Sequence, residues 1–309
     1  MAFAPIPARV PPDWPMRAAS RAIHAPPHLW HVQVMGQGPL LLLLHGAGAS
    51  THSWRALAPL LAGQFTLVMP YLPGQGFSRQ GNRQRLGLDA MAEDMAALLA
   101  GQAWVPRGIV GHSAGAALAL RLTECLAVKP AGVVGINAAL GNFEGLSGVL
   151  FPVLARLLAL NPLVPPVFAR LAGGEAQVRR LLSSTGSRID PEGRRLYRRL
   201  VSDPAHVDGT LAMMAQWQLD GLIARLPAIA VPVLFLTGSN DRAVPPSCSR
   251  DAAARMHRAR VEDFAGTGHL IHEEAAPVVA AAITAFLAGL AQPGHPGPLP
   301  PALTQPGGP

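Results

Sequence analysis

Lysine is almost missing from this 309-residue chain. Lys129 is the only one, and the net charge of +7 rests on arginine. A mild preference for anionic partners follows, although an arginine-biased composition gives the same charge without any partner. Cysteine is nearly as scarce. Cys125 and Cys248 sit in unrelated contexts, which reads as two free buried thiols in a reducing compartment rather than a disulfide framework. Long apolar runs are absent too. Residues 145–167 are very apolar, but Pro152, Arg156, Pro162, Pro165 and Pro166 interrupt them. The uncharged stretch 275–291 fits a helix packed on a sheet. No membrane span is expected. The opening MAFAPIPARVPPDWP has many prolines and no long apolar core, so no secretory signal is expected there. No internal repeat is visible. With 50% hydrophobic and 14% charged residues, the chain buries a large core and suits one α/β domain with an insertion, or two modest domains.

What the chain does have is an alternation of strand and helix patterns. Residues 1–18 are proline-rich and expected to be extended. Residues 20–24 and 29–35 read as a strand pair across Pro26-Pro27; Trp30, Val32 and Val34 alternate with polar neighbours. Leu40–Leu44 is a continuous apolar run, as in a central strand buried on both faces. Residues 65–69, 109–110, 132–137, 233–237 and 260–264 continue the strand series. Helical stretches at 88–99, 116–126, 252–256 and 276–290 separate them. The alternation breaks at Ala138 and resumes at Pro232. The expectation is an α/β core over 19–137 and 232–290, with a mostly parallel central sheet flanked by helices. A helical lid over 138–231 and a disordered tail over 291–309 complete it.

The stretch Arg107–Gly115, RGIVGHSAG, organises the rest. A short apolar strand runs into Gly111-His112-Ser113-Ala114-Gly115 and then into an alanine- and leucine-rich helix. That is the setting of a nucleophile elbow, with Ser113 at a sharp, strained turn and glycines where Cβ atoms would clash. Alone, G-x-S-x-G arises by chance in roughly one protein of this size in ten, so its context carries the case. A serine hydroxyl needs a histidine base, and the base needs an acid to fix its tautomer. Asp241 follows the strand at 233–237 and His269 follows the strand ending at Phe264, giving the order serine, acid, histidine. All three then lie at one edge of the sheet. Asp263 lies within a strand and is a weaker acid; Glu144 is a second-choice acid and His272 a competing base. Asn240-Asp241 alone would pass for a turn.

His45-Gly46-Ala47-Gly48 follows a central strand, so the backbone N–H of Ala47 can face that of Ala114 as an oxyanion hole. Gly46 and Gly48 would equally make an ordinary tight turn. A dinucleotide or phosphate loop ranks low. G-x-G-x-x-G fails at Thr51, no Walker lysine is present, and the next strand lacks the ribose-binding acid. No cofactor and no metal is expected. In the insertion, Val207, Leu211, Met214 and Trp217 fall on one helical face with Met213 beside it. Such stripes are mostly core, but the inner face of a lid roofs a substrate pocket. Arg179, Arg180, Arg188, Arg194, Arg195, Arg198 and Arg199 crowd the same segment. They read as solvated surface or as an attractor of carboxylates, anionic lipid or an acidic partner. No recognition motif for nucleic acid accompanies them.

Together HGAGAS, LPGQGFS, GHSAG, GSNDRAVP and GTGHLIHEE resemble the α/β-hydrolase superfamily, over about residues 21–290. More narrowly, PPDWPMRAASR, LWHVQVMGQGP, SSTGSRIDPEG and HVDGTLAMMAQW resemble the magnesium chelatase accessory hydrolases of bacteriochlorophyll biosynthesis in photosynthetic bacteria. The resemblance implies an α/β-hydrolase fold and a cytoplasmic protein acting near porphyrin metallation. It departs from the superfamily at Tyr71, where aspartate commonly precedes L-P-G, and at Gln75, where histidine or arginine is frequent. Those positions brace a loop, so loop rigidity is the property at stake. Two functions follow as expectations. One is a serine hydrolase of ester-like bonds using Ser113, Asp241 and His269 on a small-molecule substrate such as a tetrapyrrole ester. The other is a non-catalytic porphyrin-binding or chelatase-assisting protein with magnesium chelatase subunits as partners. Family analogy alone does not choose between them.

Overall fold

The computed structural model describes residues 10–141, 161 and 163–290. Eight strands make one sheet: β1 (Ser20–Ala25), β2 (His28–Gly36), β3 (Leu40–Leu44), β4 (Thr66–Pro70), β5 (Gly108–His112), β6 (Gly132–Ile136), β7 (Val233–Gly238) and β8 (Ala259–Phe264). Their order is β1-β2-β4-β3-β5-β6-β7-β8. β1 and β2 pair antiparallel, as do β2 and β4; from β4 to β8 every pairing is parallel. From β3 the chain steps to β4 on one side, then crosses back to β5 on the other. That reversal leaves a crevice at the carboxyl ends of β3 and β5, where open α/β sheets bind ligands.

The leucine run explains the layering. Side chains alternate across a strand. Leu41 and Leu43 therefore pack on one face with Trp54, Leu57 and Leu61 from the segment leading into α1 (Ala58–Leu61), and with Ile283, Phe286 and Leu287 of the last helix. Leu42 and Leu44 pack on the other face with α2 (Leu88–Gly101) and α3 (Ala114–Cys125). Leu41–Leu44 are buried on both faces, which is why the run shows no alternation.

Between β6 and β7 the described chain is helical: α4 (Val164–Ala172), α5 (Glu175–Ser184), α6 (Pro191–Val201), α7 (Pro204–Gln216) and α8 (Asp220–Arg225). Local chemistry starts two of them. Asp190 caps α6 by accepting from Gly193 N at 2.5 Å, with Pro191 in the first turn. Asp203 caps α7 by accepting from Ala205 N at 2.9 Å, ahead of Pro204. After β7 come α9 (Pro246–Ala254), then α10 (Ile271–Glu274) and α11 (Ala276–Ala288) beyond β8. Among the described residues no helix is long and apolar enough to cross a membrane.

Several expectations need correction. Residues 11–19 are not extended: they turn repeatedly, with Trp14 N bonding Pro11 O and Arg17 N bonding Trp14 O. Trp14 anchors this segment by inserting beside Tyr71, Leu196 and Leu200. The helix expected at 252–256 lies at Pro246–Ala254, because proline starts a helix as readily as it ends one. The expected tail at 291–309 and Glu144 lie outside the described residues.

Part of the arginine density is taken up by ion pairs within the chain. Asp13 takes both Arg195 and Arg199, which hold its carboxyl below the usual range. Arg55 bonds Glu273 and Asp190, and Tyr197 donates to Glu273 Oε1 at 2.7 Å. These contacts fasten the inserted helices to the sheet domain.

Candidate active site

Ser113 ends the turn between β5 and α3 with φ 53° and ψ −117°, a conformation non-glycine residues rarely adopt. The turn closes only because its flanks lack side chains. A Cβ on Gly111 would lie 2.2 Å from the Gly115 carbonyl oxygen, and one on Gly115 would lie 2.2 Å from that of Leu44. Ser113 is half-buried at the sheet edge, its N–H bonded to Ile136 O and its carbonyl to Ala139 N.

Asp241 sits in the loop after β7 with its carboxylate wholly engaged. Oδ1 accepts from Ala243 N and Val244 N, each at 2.8 Å. Oδ2 accepts from Asn137 Nδ2 at 2.7 Å and from His269 Nδ1 at 2.7 Å. A carboxylate only accepts, so Nδ1 of His269 carries a proton, and in the neutral ring the lone pair is then on Nε2. That is the tautomer a general base needs. The elbow and the histidine loop are tied together, since the His112 ring nitrogen Nε2 lies 2.9 Å from the His269 carbonyl. Among the described residues no hydrogen bond joins Ser113 Oγ to His269 Nε2. Such contacts often tighten only on the bound substrate.

The Gly46–Gly48 loop passes directly against the elbow. A Cβ on Gly46 would stand 2.8 Å from His112 Nδ1 and 3.1 Å from Ser113 Cβ. Ala47 is exposed between the two glycines, and Ala114 opens α3 with an N–H that has no intrahelical partner. Of the two departures from the superfamily pattern, Gln75 braces this loop and Tyr71 instead holds the N-terminal segment. Gln75 Oε1 accepts from Gly48 N at 2.9 Å, and the Tyr71 hydroxyl accepts from Trp14 Nε1 at 2.6 Å.

The rival candidates separate from the site. His272 is fully buried, stacked against His112 and Trp54, and burial pushes it down to about 3. It has no path to substrate. Asp263 is bound by Thr237 and Arg250 on β8. Asn137 carried no signal beyond being the polar residue that closes an apolar strand. Nor was Thr185-Gly186-Ser187 read as part of the site. The Thr185 carbonyl accepts from both Arg242 N and His269 N, at 3.2 and 3.3 Å, and Ser187 Oγ accepts from Leu270 N at 2.9 Å. The insertion thus spans the loops that carry Asp241 and His269.

The five insertion residues expected to line a pocket divide. Val207 is buried, and Leu211, Met214 and Trp217 are half-buried. Met213 is wholly buried in the core, where its sulfur takes Gln75 Nε2 at 2.9 Å, so it is a brace and not a wall. None of the five lines the cavity of about 570 Å³ that opens beside the site. That cavity is walled by Leu140, Leu219, Ile223, Leu226, Val244 and Pro245, with Asp251 and Arg255 among its polar lining. It begins next to both functional loops, because Ala139 is bonded to Ser113 and Val244 to Asp241. Among the described residues no group of three or more His, Cys, Asp or Glu side chains is arranged to hold a metal ion.

Comparison with known proteins agrees with the architecture. A family model for the alpha/beta hydrolase fold matches residues 39–276. The magnesium-chelatase 30 kDa subunit of Rhodobacter capsulatus is 45% identical over 285 residues, which is 92% of this chain and 99% of that one. A pimeloyl-[acyl-carrier protein] methyl ester esterase of Stenotrophomonas maltophilia is 29% identical over 84% of this chain and 97% of its own. In three dimensions an epoxide hydrolase superposes with a TM-score of 0.73 at 20% identity, over 87% of this chain and 98% of that one. The chain belongs to the α/β-hydrolase fold family and, within it, to the family of the magnesium-chelatase 30 kDa subunit.

Proposed function

We propose that this protein is a serine hydrolase of ester-like bonds. The observation that carries the reading is the Asp241–His269 hydrogen bond beside a strained serine turn. Ser113 Oγ attacks the ester carbonyl carbon as His269 Nε2 takes its proton. The carbonyl oxygen becomes an oxyanion, and the Ala47 and Ala114 N–H groups receive it. When the intermediate collapses, His269 returns the proton to the departing alkoxide. A water then repeats the sequence on the acyl-serine, releasing the acid and restoring Ser113.

The relatives and the cavity support a substrate class. One relative is a methyl ester esterase and another a magnesium-chelatase subunit. The first supports an ester and the second a tetrapyrrole context, which together favour a tetrapyrrole ester as the small-molecule substrate, handled in the cytoplasm near the chelatase. The thiols of Cys125 and Cys248, neither of them in a disulfide, accord with a reducing compartment. The inserted helices act as the lid over 138–231, with Leu219, Ile223 and Leu226 facing the bound ring. The apolar cavity beside Ser113 takes the body of the ester. The 45% identity to a chelatase subunit favours a second reading, in which the protein assists the chelatase without hydrolysis.

Ser113→Ala separates the two. Hydrolysis of p-nitrophenyl and tetrapyrrole methyl esters should fall by a factor on the order of 10⁶ in the variant. The second reading requires that any stimulation of chelatase activity persist in Ser113→Ala while the wild type hydrolyses none of these esters.

A further inference from the structure

The loop that carries the oxyanion donor is held through three consecutive peptide planes, each by a different side chain. The plane joining Gly46 and Ala47 is fixed at its oxygen, which lies 2.9 Å from His45 Nδ1. His45 Nε2 accepts from Leu72 N at 3.0 Å, so Nδ1 is the protonated nitrogen and donates. A trans peptide points its N–H opposite to its C=O, so anchoring this oxygen aims the Ala47 N–H. The next plane is held at Gly48 N by Gln75 Oε1, at 2.9 Å. The third is held at Gly48 O by His206 Nε2, at 3.2 Å.

His206 comes from the insertion. It is buried, and its two nitrogens have opposite duties. Nδ1 accepts from Gly76 N at 3.0 Å, which leaves Nε2 to donate to Gly48 O. Burial holds the ring neutral, down to about 4, so both hydrogen bonds persist at physiological pH. The contact is part of a stripe along α7. Gly209 lies so close to the turn at 73–76 that a Cβ would sit 2.0 Å from the Gly74 carbonyl oxygen. Thr210 Cγ2 reaches Gly48, and Met213 takes the Nε2 of the same Gln75. Positions 206, 209, 210 and 213 share one helical face. That face is given over to the oxyanion loop and its supporting turn, which is why Gln75, in place of histidine or arginine, serves here: its amide grips the loop at one end and the insertion at the other.

We propose that His206, together with Gln75, is a positioning residue for the oxyanion loop, so that the seating of the inserted helix α7 sets the aim of the Ala47 N–H. The proposal rests on the serine-hydrolase reading. It adds that the insertion is a working part of the transition-state site as well as a cover over substrate. A loop displaced by about 1 Å loses about 10²-fold in rate, and an oxyanion donor is worth roughly 10²–10³-fold.

The test uses the full chain carrying His206→Ala, His206→Gln or Gln75→Ala. For each, kcat and KM on a p-nitrophenyl ester are measured alongside backbone amide exchange at Gly48. In His206→Ala kcat should fall about 10- to 100-fold while KM stays nearly constant, because the lost contact acts on the transition state. Glutamine at position 206 offers one acceptor and one donor and should restore most of the rate. The Gly48 amide should exchange faster in His206→Ala although its own partner, Gln75, is untouched. That coupling is what a purely local role would not produce. An unchanged kcat, or Gly48 protection equal to wild type in His206→Ala, overturns the proposal. If the wild type hydrolyses no ester and takes no fluorophosphonate, the serine-hydrolase reading fails by itself. Amide exchange then decides the clamp: acceleration in His206→Ala supports it and none overturns it.

Discussion

Asp241 shows how much a single residue depends on its neighbours. Its two oxygens accept from Asn137, Ala243, Val244 and His269. In Asp241→Asn the Oδ1 atom still serves the two backbone amides, so the fold should survive. The amide nitrogen facing His269 cannot accept from Nδ1–H, however, and the ring turns to the wrong tautomer. Ester hydrolysis should fall about 10⁴-fold with little change in melting temperature. A loss below tenfold would mean that the acid is elsewhere. At this scale the placement of Ser113, Asp241 and His269 in loops at one edge of the sheet was legible, because each follows a strand and sits among glycines or turn residues. Asn137 was not, since one polar residue at the end of an apolar strand has many uses. Tyr71 and Gln75 were legible only as departures. Their effect depends on Trp14 and Met213, which are far away in sequence, and pattern reading does not reach such pairings.

Elements carry the next set of constraints. The loop between α5 and α6 bridges the Asp241 and His269 loops through the Thr185 carbonyl and Ser187 Oγ. Gly186 makes the approach possible. It has φ +83°, and a Cβ there would stand 1.9 Å from the Asn240 carbonyl oxygen. Gly186→Ala should therefore push the acid loop away, costing about 1–3 kcal/mol of stability. It should also lower kcat more than a surface substitution such as Arg180→Ala. Denaturant titration and steady-state kinetics read both effects; wild-type behaviour in both would show that the bridge has no role. Strands β3, β4, β6 and β7 were legible with near-correct bounds, because burial on both faces leaves apolar runs with sharp ends. Helix α9 was misplaced because Pro245-Pro246 reads as a break when it is a start. The insertion's helices were legible as helices, but not what each one touches. His206 and Thr185 act through tertiary contacts that leave no periodic trace.

Across the whole molecule, buried neutral imidazoles accumulate beneath the site. Burial lowers His31, His45 and His206 to about 4 and His272 to about 3, and holds His52 and His112 well below the ordinary range. The unfolded chain protonates these rings near 6.5 and the fold does not. Stability is therefore complete above that value and is lost as pH falls from about 6.5 towards 4. Each ring contributes up to about 1.4 kcal/mol per pH unit within the window. Glu273 runs the other way: burial pushes it up to about 7, so the fold gains as pH falls from there to 4.5. One carboxyl does not offset six imidazoles, and the melting temperature should drop steeply below pH 6. A flat profile between pH 7 and 5 would show that these rings are not held neutral. The central claim is that Ser113, His269 and Asp241 act as one nucleophilic unit, and covalent capture tests it most directly. The full chain is treated with a fluorophosphonate and the adduct is mapped by peptide mass spectrometry. One phosphonylated residue, Ser113, with labelling abolished in Ser113→Ala and strongly slowed in Asp241→Asn, is the predicted result. No adduct at Ser113 in the folded wild type, or equal labelling of the Asp241→Asn variant, would contradict it.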